Sequence, residues 1–74
     1  MVKENYNDYT LTTCCKRRFD DRYSVEVIIE KTVKGLVKKE IFLDTKISLI
    51  LQQEAEKESI NFGKNIIKNK LIAF

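Results

Sequence analysis

The chain has 74 residues, which is enough for one small domain and too few for a second hydrophobic core. Its 43% hydrophobic and 34% charged residues place it outside the composition of disordered segments. The formal net charge of +3 permits nucleic-acid binding but does not indicate it, because nucleic-acid-binding domains usually carry a stronger, clustered basic face.

The residues needed for most enzyme active sites are missing from the sequence. There is no histidine for acid–base chemistry near neutral pH, no serine in a nucleophile motif and no glycine-rich phosphate-binding loop. Glu54, Glu56 and Glu58 alternate along a predicted helix, which spreads them around it rather than onto one metal ion. We therefore predict that the protein is not an enzyme and needs no cofactor.

Cys14 and Cys15 are adjacent, and neighbouring side chains on a strand point to opposite faces. A disulfide between them would be strained, and no histidine is present to complete a zinc site. We predict two reduced, half-buried cysteines. Together with the absence of a signal-peptide pattern and of any long apolar run, this predicts a cytoplasmic protein.

The N-terminal half reads as strands. Residues 1–8 are polar and are predicted to form a flexible N-terminus, followed by a strand and hairpin region over residues 9–36. Within that region, residues 9–18 have the Thr- and Tyr-rich composition of a strand, and residues 23–32 alternate apolar and polar side chains. Asp20 and Asp21 predict the turn between the two strands.

Lys34-Gly35 has the residue type that a two-residue hairpin turn requires. A turn there fixes the register of strand 23–32 against the strand that follows. The predicted pairs are Val33 with Leu36, Glu30 with Lys39, Ile28 with Ile41, and Val27 with Phe42. This register matches opposite charges and matches apolar groups, so it is internally consistent.

The C-terminal segment, residues 37–74, predicts a strand over 38–43 and two helices. Asp44 or Thr45 is the expected N-cap of the first helix, and Asn61 that of the second. A break between the helices is favoured because Ser59, Asn61 and Gly63 are poor residues for a helix interior. One continuous helix over residues 45–74 remains the alternative.

This order of elements resembles the ribbon-helix-helix family of DNA-binding proteins, over the C-terminal half of the chain only. The motifs are LDxxI at the strand–helix junction (Leu43, Asp44, Ile47), Ala55 late in the first helix, and ESINFGKNII. The resemblance implies an α+β fold with up to three antiparallel strands followed by two helices. It also implies a homodimer, in which two copies pair their strands and bury the apolar helix faces together.

The function implied by the resemblance is sequence-specific DNA binding by a transcriptional regulator, such as a repressor or antitoxin-like protein of a plasmid or phage. Outward residues of the ribbon would read bases, Lys38 at guanine and Glu40 at cytosine, while free amides at the start of the second helix would bind a phosphate. The basic run is a further candidate for phosphate contact. The predicted DNA-binding residues are Lys38, Glu40, Phe42, Asn61, Gly63, Lys64, Lys16, Arg17 and Arg18.

Two features depart from that family. Glu40 is unfavourable beside phosphates and Phe42 offers no hydrogen bond to a base. If strand 23–32 pairs with strand 36–43 in the same subunit, the dimer sheet has four strands and is too wide for a major groove of about 12 Å. The alternative prediction is a small protein-binding module or inhibitor from a mobile element, acting through its sheet and an aromatic surface of Tyr6, Tyr9 and Tyr23. A compact RNA-binding domain has less support, since no motif for it is present.

Overall fold

The computed structural model describes residues 1–74 as an antiparallel sheet followed by one helix. The strands lie side by side in chain order. The elements are β1 (Lys3–Tyr6), β2 (Tyr9–Thr13), β3 (Tyr23–Val33), β4 (Leu36–Leu49) and α1 (Gln52–Lys68). The fold is α+β, but the prediction of up to three strands and two helices in a ribbon-helix-helix arrangement is wrong.

The β3–β4 hairpin forms as the sequence predicts. Lys34 and Gly35 have φ angles of 52° and 79°, and positive φ at both central residues is the requirement of a type I′ turn, the turn whose twist matches that of paired strands. The four predicted cross-strand pairs are confirmed: Val33 with Leu36, Glu30 with Lys39, Ile28 with Ile41, and Val27 with Phe42.

Strand β4 is longer than predicted, because the chain does not enter a helix at Asp44. The Asp44 carboxylate accepts a hydrogen bond from the Lys46 backbone N–H at 3.0 Å, within a local irregularity where the register against β3 shifts. Pairing then resumes at Ser48, whose hydroxyl and carbonyl accept hydrogen bonds from the Arg22 guanidinium at 2.8 and 2.7 Å. Asp44, which the sequence analysis predicted as a possible helix N-cap, therefore makes its Asx-type hydrogen bond in a bulge inside a strand.

The predicted break between two helices is also wrong, because α1 runs unbroken through Ser59, Asn61 and Gly63. Ser59 and Gly63 are buried against the sheet. The Ser59 hydroxyl donates to the Ala55 carbonyl at 2.7 Å, and a Cβ on Gly63 would lie only 3.3 Å from side-chain atoms of Leu11 and Val27. These residues of low helix propensity are explained by close helix–sheet packing.

The hydrophobic core lies between α1 and one face of the sheet. The sheet contributes four fully buried residues, Leu11, Val25, Val27 and Ile29, and the helix contributes Ala55, Ile60, Ile66 and Ile67. Phe42 of β4 packs against the margin of this core. The chain buries these apolar residues by itself, so the predicted need for interlocking with a second copy to form the core is removed.

Both ends of the chain are ordered by contacts with this unit. Lys3–Tyr6 of the predicted flexible N-terminus forms β1, and the Met1 amino group lies 3.0 Å from the Glu56 carboxylate. At the C-terminus α1 ends at Lys68, short of the predicted Phe74, because Lys70 adopts a left-handed conformation with a φ of 56°. The Leu71 N–H then bonds the Ile66 carbonyl at 2.9 Å, which is the hydrogen bond of a Schellman motif.

Candidate protein-interaction site at the edge of the sheet

Strand β4 has one face toward the helix and one face open. Opposite residues of an antiparallel pair share a face, so the pair Val27–Phe42 marks the helix side and the pair Ile28–Ile41 marks the open side. The odd-numbered residues of β4 before the bulge therefore lie on the open face. Among them Val37, Ile41 and Leu43 have 63%, 62% and 51% of their surface exposed.

The same odd-numbered residues carry the free backbone edge. In a two-residue type I′ hairpin the closing pair, here Val33 and Leu36, exchanges hydrogen bonds between the two strands. Backbone groups alternate in direction along a strand, so Val37, Lys39, Ile41 and Leu43 direct their N–H and C=O away from β3. Because β4 is the last strand of the sheet, nothing in the chain pairs with these groups.

This combination is rare on a folded chain. Proteins usually protect an edge strand by making it short, charged or covered, because free backbone groups beside aliphatic side chains form a template for another strand. Between Val37 and Leu43 the only charged residue on the open face is Lys39, which lies opposite Glu30. The free backbone edge and the exposed aliphatic side chains together define the candidate site, which we call the β4 edge (Val37, Lys39, Ile41, Leu43).

A recess of ≈ 420 Å³ lies at the bulged end of the β4 edge. Leu43 and Ile47 are its hydrophobic lining residues, and its polar lining includes Lys16, Arg18, Ser24 and Glu26. The Glu26 carboxylate is almost fully buried, accepts a hydrogen bond from the Ser24 hydroxyl and lies 3.9 Å from the Lys16 ammonium. The recess is large enough to accept a side chain from a strand added beside β4.

The predicted DNA-reading residues of the ribbon lie on the other side of β4. Lys38, Glu40 and Phe42 are even-numbered and project toward the helix side of the sheet. Lys38 and Glu40 are exposed, whereas Phe42 is half-buried against the core. Phe42 therefore has a structural explanation that needs no contact with a base.

The predicted phosphate-binding residues of a second helix lie in the middle of α1. The amides of Asn61, Gly63 and Lys64 belong to the interior of that helix and are not free at a helix start. Lys64 forms an ion pair with Glu4 of β1, and its ammonium lies 5.7 Å from the centre of the Tyr6 ring. The proposed helix-terminus contact with phosphate is therefore removed.

Each residue of the basic run lies beside an acid. The Arg17 and Arg18 guanidinium groups lie 2.7 and 3.2 Å from the carboxylates of Asp21 and Asp20. Lys16 lies near Glu26, as described above. Each positive charge of the run is therefore offset by a neighbouring carboxylate. This arrangement favours the interpretation of the run as a solvated edge.

The predicted aromatic surface is mostly part of the fold. Tyr6, Tyr9 and Tyr23 are half-buried, and the Tyr9 hydroxyl donates to the carbonyl oxygen of Phe74. The fully exposed aromatic residue is Phe19, in the turn before β3. The sequence analysis did not select the exposed aliphatic residues of β4 as site residues. Their alternation along the strand is visible in the sequence, but it identifies an exposed face only when the face covered by the helix is known.

Cys14 and Cys15 are half-buried, as predicted, but they lie just after the end of β2 and not on a strand. The Cys15 sulfur lies 3.1 Å from the Ser59 hydroxyl. Partial burial and, next, the Glu26 carboxylate raise the pKa of the Cys14 thiol above its ordinary value. A raised pKa lowers the thiolate fraction near neutral pH, so Cys14 is a poor nucleophile there.

Comparisons with protein-family models, curated proteins and solved structures found no match to this chain. No group of three or more histidine, cysteine, aspartate or glutamate side chains is arranged to hold a metal ion. The single helix lacks the length and apolar character that crossing a membrane requires.

Proposed function

We propose that the protein is a small protein-interaction module that binds an extended segment of another polypeptide by strand addition at the β4 edge. One observation carries the proposal. The longest strand of the sheet is an edge strand, and three of the residues that direct backbone groups outward, Val37, Ile41 and Leu43, also have exposed aliphatic side chains.

Strand addition uses both features of the site. The added segment forms backbone hydrogen bonds, each contributing a net of about 0.5–1.5 kcal/mol, and alternate side chains of the segment select the partner. Each half-exposed aliphatic side chain that becomes covered adds about 1–2 kcal/mol. The expected ligand is an extended segment with alternating aliphatic residues, one of which can enter the recess beside Leu43.

The test is a selection of peptides from a random displayed library on sparsely immobilised protein. We expect extended peptides with alternating aliphatic residues, and peptide binding should slow amide exchange at Val37, Lys39 and Ile41. The Ile41→Pro variant should lose these peptides, because proline removes the outward N–H at the centre of the edge. Proline is tolerated at such a position, since that N–H faces solvent in the isolated chain.

The matched control is Asn5→Pro, which makes the same change on β1, the opposite edge strand of the sheet. This variant should keep the binding of the selected peptides. Failure to select any peptide, or equal binding to the Ile41→Pro variant, would overturn the proposal.

DNA binding is a second candidate function, favoured by one observation at the hairpin end. The pairing of β2 with β3 stops at Glu30, so beyond it β3 and β4 continue as a two-stranded ribbon, the width that a major groove admits. The ribbon carries Lys31, Lys34, Lys38 and Lys39, none of which has a carboxylate within salt-bridge distance. These lysines are suited to contact phosphates on both sides of a groove.

Fluorescence anisotropy with a labelled DNA duplex tests this candidate. We expect the double variant Lys34→Ala/Lys38→Ala to weaken binding about tenfold or more at low salt and to reduce the salt slope by roughly one for each lost phosphate contact. The matched control is Lys46→Ala/Lys57→Ala, which removes the same charge from exposed positions away from the ribbon tip. Equal loss in both variants would exclude a specific role for the ribbon.

A further inference from the structure

We infer that the segment accepted by the β4 edge is β4 of a second copy of this chain, so that two sheets join into one continuous sheet with Ile41 at the two-fold axis. The inference rests on the proposed strand addition and names its partner. It replaces interlocked ribbon-helix-helix chains with two complete subunits that meet edge to edge.

Symmetry restricts how two β4 strands can pair. A two-fold axis perpendicular to the sheet makes the strands antiparallel and keeps both open faces on the same side. Opposite residues share a face, and neighbouring residues on one strand do not. The axis must therefore lie midway between the two copies of a single residue, which face each other across the strand pair. Each choice of central residue fixes every other pair, and the charges along β4 together with the bulge after Asp44 distinguish the choices.

With Ile41 at the axis, each charged residue meets an opposite charge or an uncharged side chain. Ile41 lies opposite the partner's Ile41, and Lys39 lies opposite the partner's Leu43. On the helix side Lys38 lies opposite the partner's Asp44, and symmetry repeats that ion pair. Opposite charges directly across a strand pair are favourable and like charges are unfavourable.

Registers centred on Lys39, Glu40 or Phe42 create like-charge contacts, and a register centred on Leu43 avoids them but would have to pair through the bulge that follows Asp44. An axis at Glu40 sets that carboxylate against its own copy, and an axis at Lys39 does the same with two ammonium groups. An axis at Phe42 sets Glu40 against the partner's Asp44, and Lys38 against the partner's Lys46. Among these registers, only the one centred on Ile41 avoids both like-charge pairs and the bulge.

The backbone and the recess agree with the same register. Ile41 is one of the residues that direct their N–H and C=O outward, so it can form a hydrogen-bonded pair with its own copy, as can Lys39 with the partner's Leu43. Beyond the pair of Lys38 with Asp44, the partner's Val37 approaches Thr45, which lines the recess together with Leu43 and Ile47. The bulge that follows Asp44 ends the pairing there.

The dimer should be weak to moderate in affinity. Edge pairing over a few residues covers less than the roughly 1,200–2,000 Å² that standard stable interfaces bury. We therefore expect dissociation in the micromolar range, visible by analytical ultracentrifugation between low and high micromolar concentrations.

A charge exchange tests the register. Lys38→Asp should weaken the dimer about tenfold or more, because two aspartates then face Asp44 residues across the axis, and Asp44→Lys should do the same with two lysines. The double variant Lys38→Asp/Asp44→Lys should restore the dimer, which a merely misfolded variant would not do. Lys34→Asp is the control, since it makes the same charge change at the hairpin turn outside the paired residues.

A cysteine scan tests the axis directly in a background in which Cys14 and Cys15 are changed to serine. Hydrogen-bonded residues across an antiparallel pair have Cα atoms about 5.5 Å apart, within the range that a disulfide spans. Ile41→Cys should therefore form a disulfide-linked dimer under mild oxidation, whereas Val37→Cys should not, because its own copy lies far from it. Faster cross-linking of Val37→Cys or of Leu43→Cys would overturn the Ile41 register.

A wild-type chain that stays monomeric at several hundred micromolar, with no response to the charge exchange, would overturn the self-association. If peptides selected on the wild-type chain still require Ile41 in that case, strand addition at the β4 edge stands and only the identity of the partner is wrong. Loss of both results would remove the proposed function as well.

Discussion

The two edge strands of the sheet, β1 and β4, differ in length and in the side chains they expose. The β1 edge has four residues and is tied to the rest of the chain by the ion pair between Glu4 and Lys64 and by a Thr13 N–H donating to the Val2 carbonyl at 2.8 Å. Strand β4 has fourteen residues, with Val37, Ile41 and Leu43 exposed and no covering element. Strand β1 is protected only by being short and polar, whereas β4 is long and presents exposed aliphatic side chains to an added strand.

The position of the helix explains this difference. α1 packs over the centre of the sheet, where Leu11 of β2 and Val27 and Ile29 of β3 are fully buried. Its polar side chains reach toward β1, and β4 contributes only the margin of the core through Phe42. Stability therefore depends mainly on β2, β3 and α1, and changes to the outward side of β4 should affect association more than folding.

The largest expected effect is a difference in stability between proline substitutions at two neighbouring residues of β4, one with its N–H directed toward β3 and one with its N–H directed away from it. Phe42→Pro removes a backbone hydrogen bond to β3 together with a side chain at the core margin, and it should destabilise the fold by about 3 kcal/mol or more. Ile41→Pro removes only an outward N–H and should cost about 1 kcal/mol or less. Urea denaturation at low protein concentration measures both, and equal losses would contradict the assigned direction of the backbone groups.

A smaller loss of stability is expected at the end of β2, where a side chain of α1 instead of a β2 backbone group accepts a hydrogen bond from β3. Beyond Thr13, the buried Glu26 N–H donates to the Ser59 hydroxyl at 3.1 Å. Ser59→Ala leaves that N–H without its partner and should cost about 1–3 kcal/mol. The exposed helix residue Gln53, changed to alanine, is the control and should be nearly neutral. If Ser59→Ala left the stability unchanged, the hydrogen bond from the Glu26 N–H to the Ser59 hydroxyl would not contribute to the fold.

The hairpin could be predicted from sequence because its information is local. The alternation from Tyr23 onward, the Lys34-Gly35 turn and the matched charges of Glu30 and Lys39 fix one register without reference to the rest of the chain. The β4 edge could be predicted only in part for the opposite reason. Which face of β4 is exposed depends on where α1 packs. The sequence analysis predicted two helices in place of α1, so it could not place the covered face.

The remaining errors arose where tertiary contacts override local preference. Asp44 has the residue type of an N-cap, yet the residue at the N-cap of α1 is Leu51, which makes no side-chain capping bond. Lys3–Tyr6 contains no aliphatic alternation, and it forms a strand because β2 and α1 provide its partners. Ser59 and Gly63 weaken a helix in isolation, but in this fold they allow its close approach to the sheet.

The smallest expected effect concerns how firmly the β1 edge is held. Lys64→Ala removes the ion pair with Glu4 and the contact with the Tyr6 ring, and because both charged groups are partly exposed the cost should be about 0.5–1 kcal/mol. Amide exchange should become several-fold faster in β1 while it stays unchanged in β3, since β1 can fray without opening the core. Lys57→Ala, on the exposed side of the same helix, should leave β1 exchange as it is. If Lys64→Ala instead accelerated exchange in β3 and β4 equally, β1 would be an integral part of the cooperative unit, and the protection of that edge would come from the whole fold and not from this one contact.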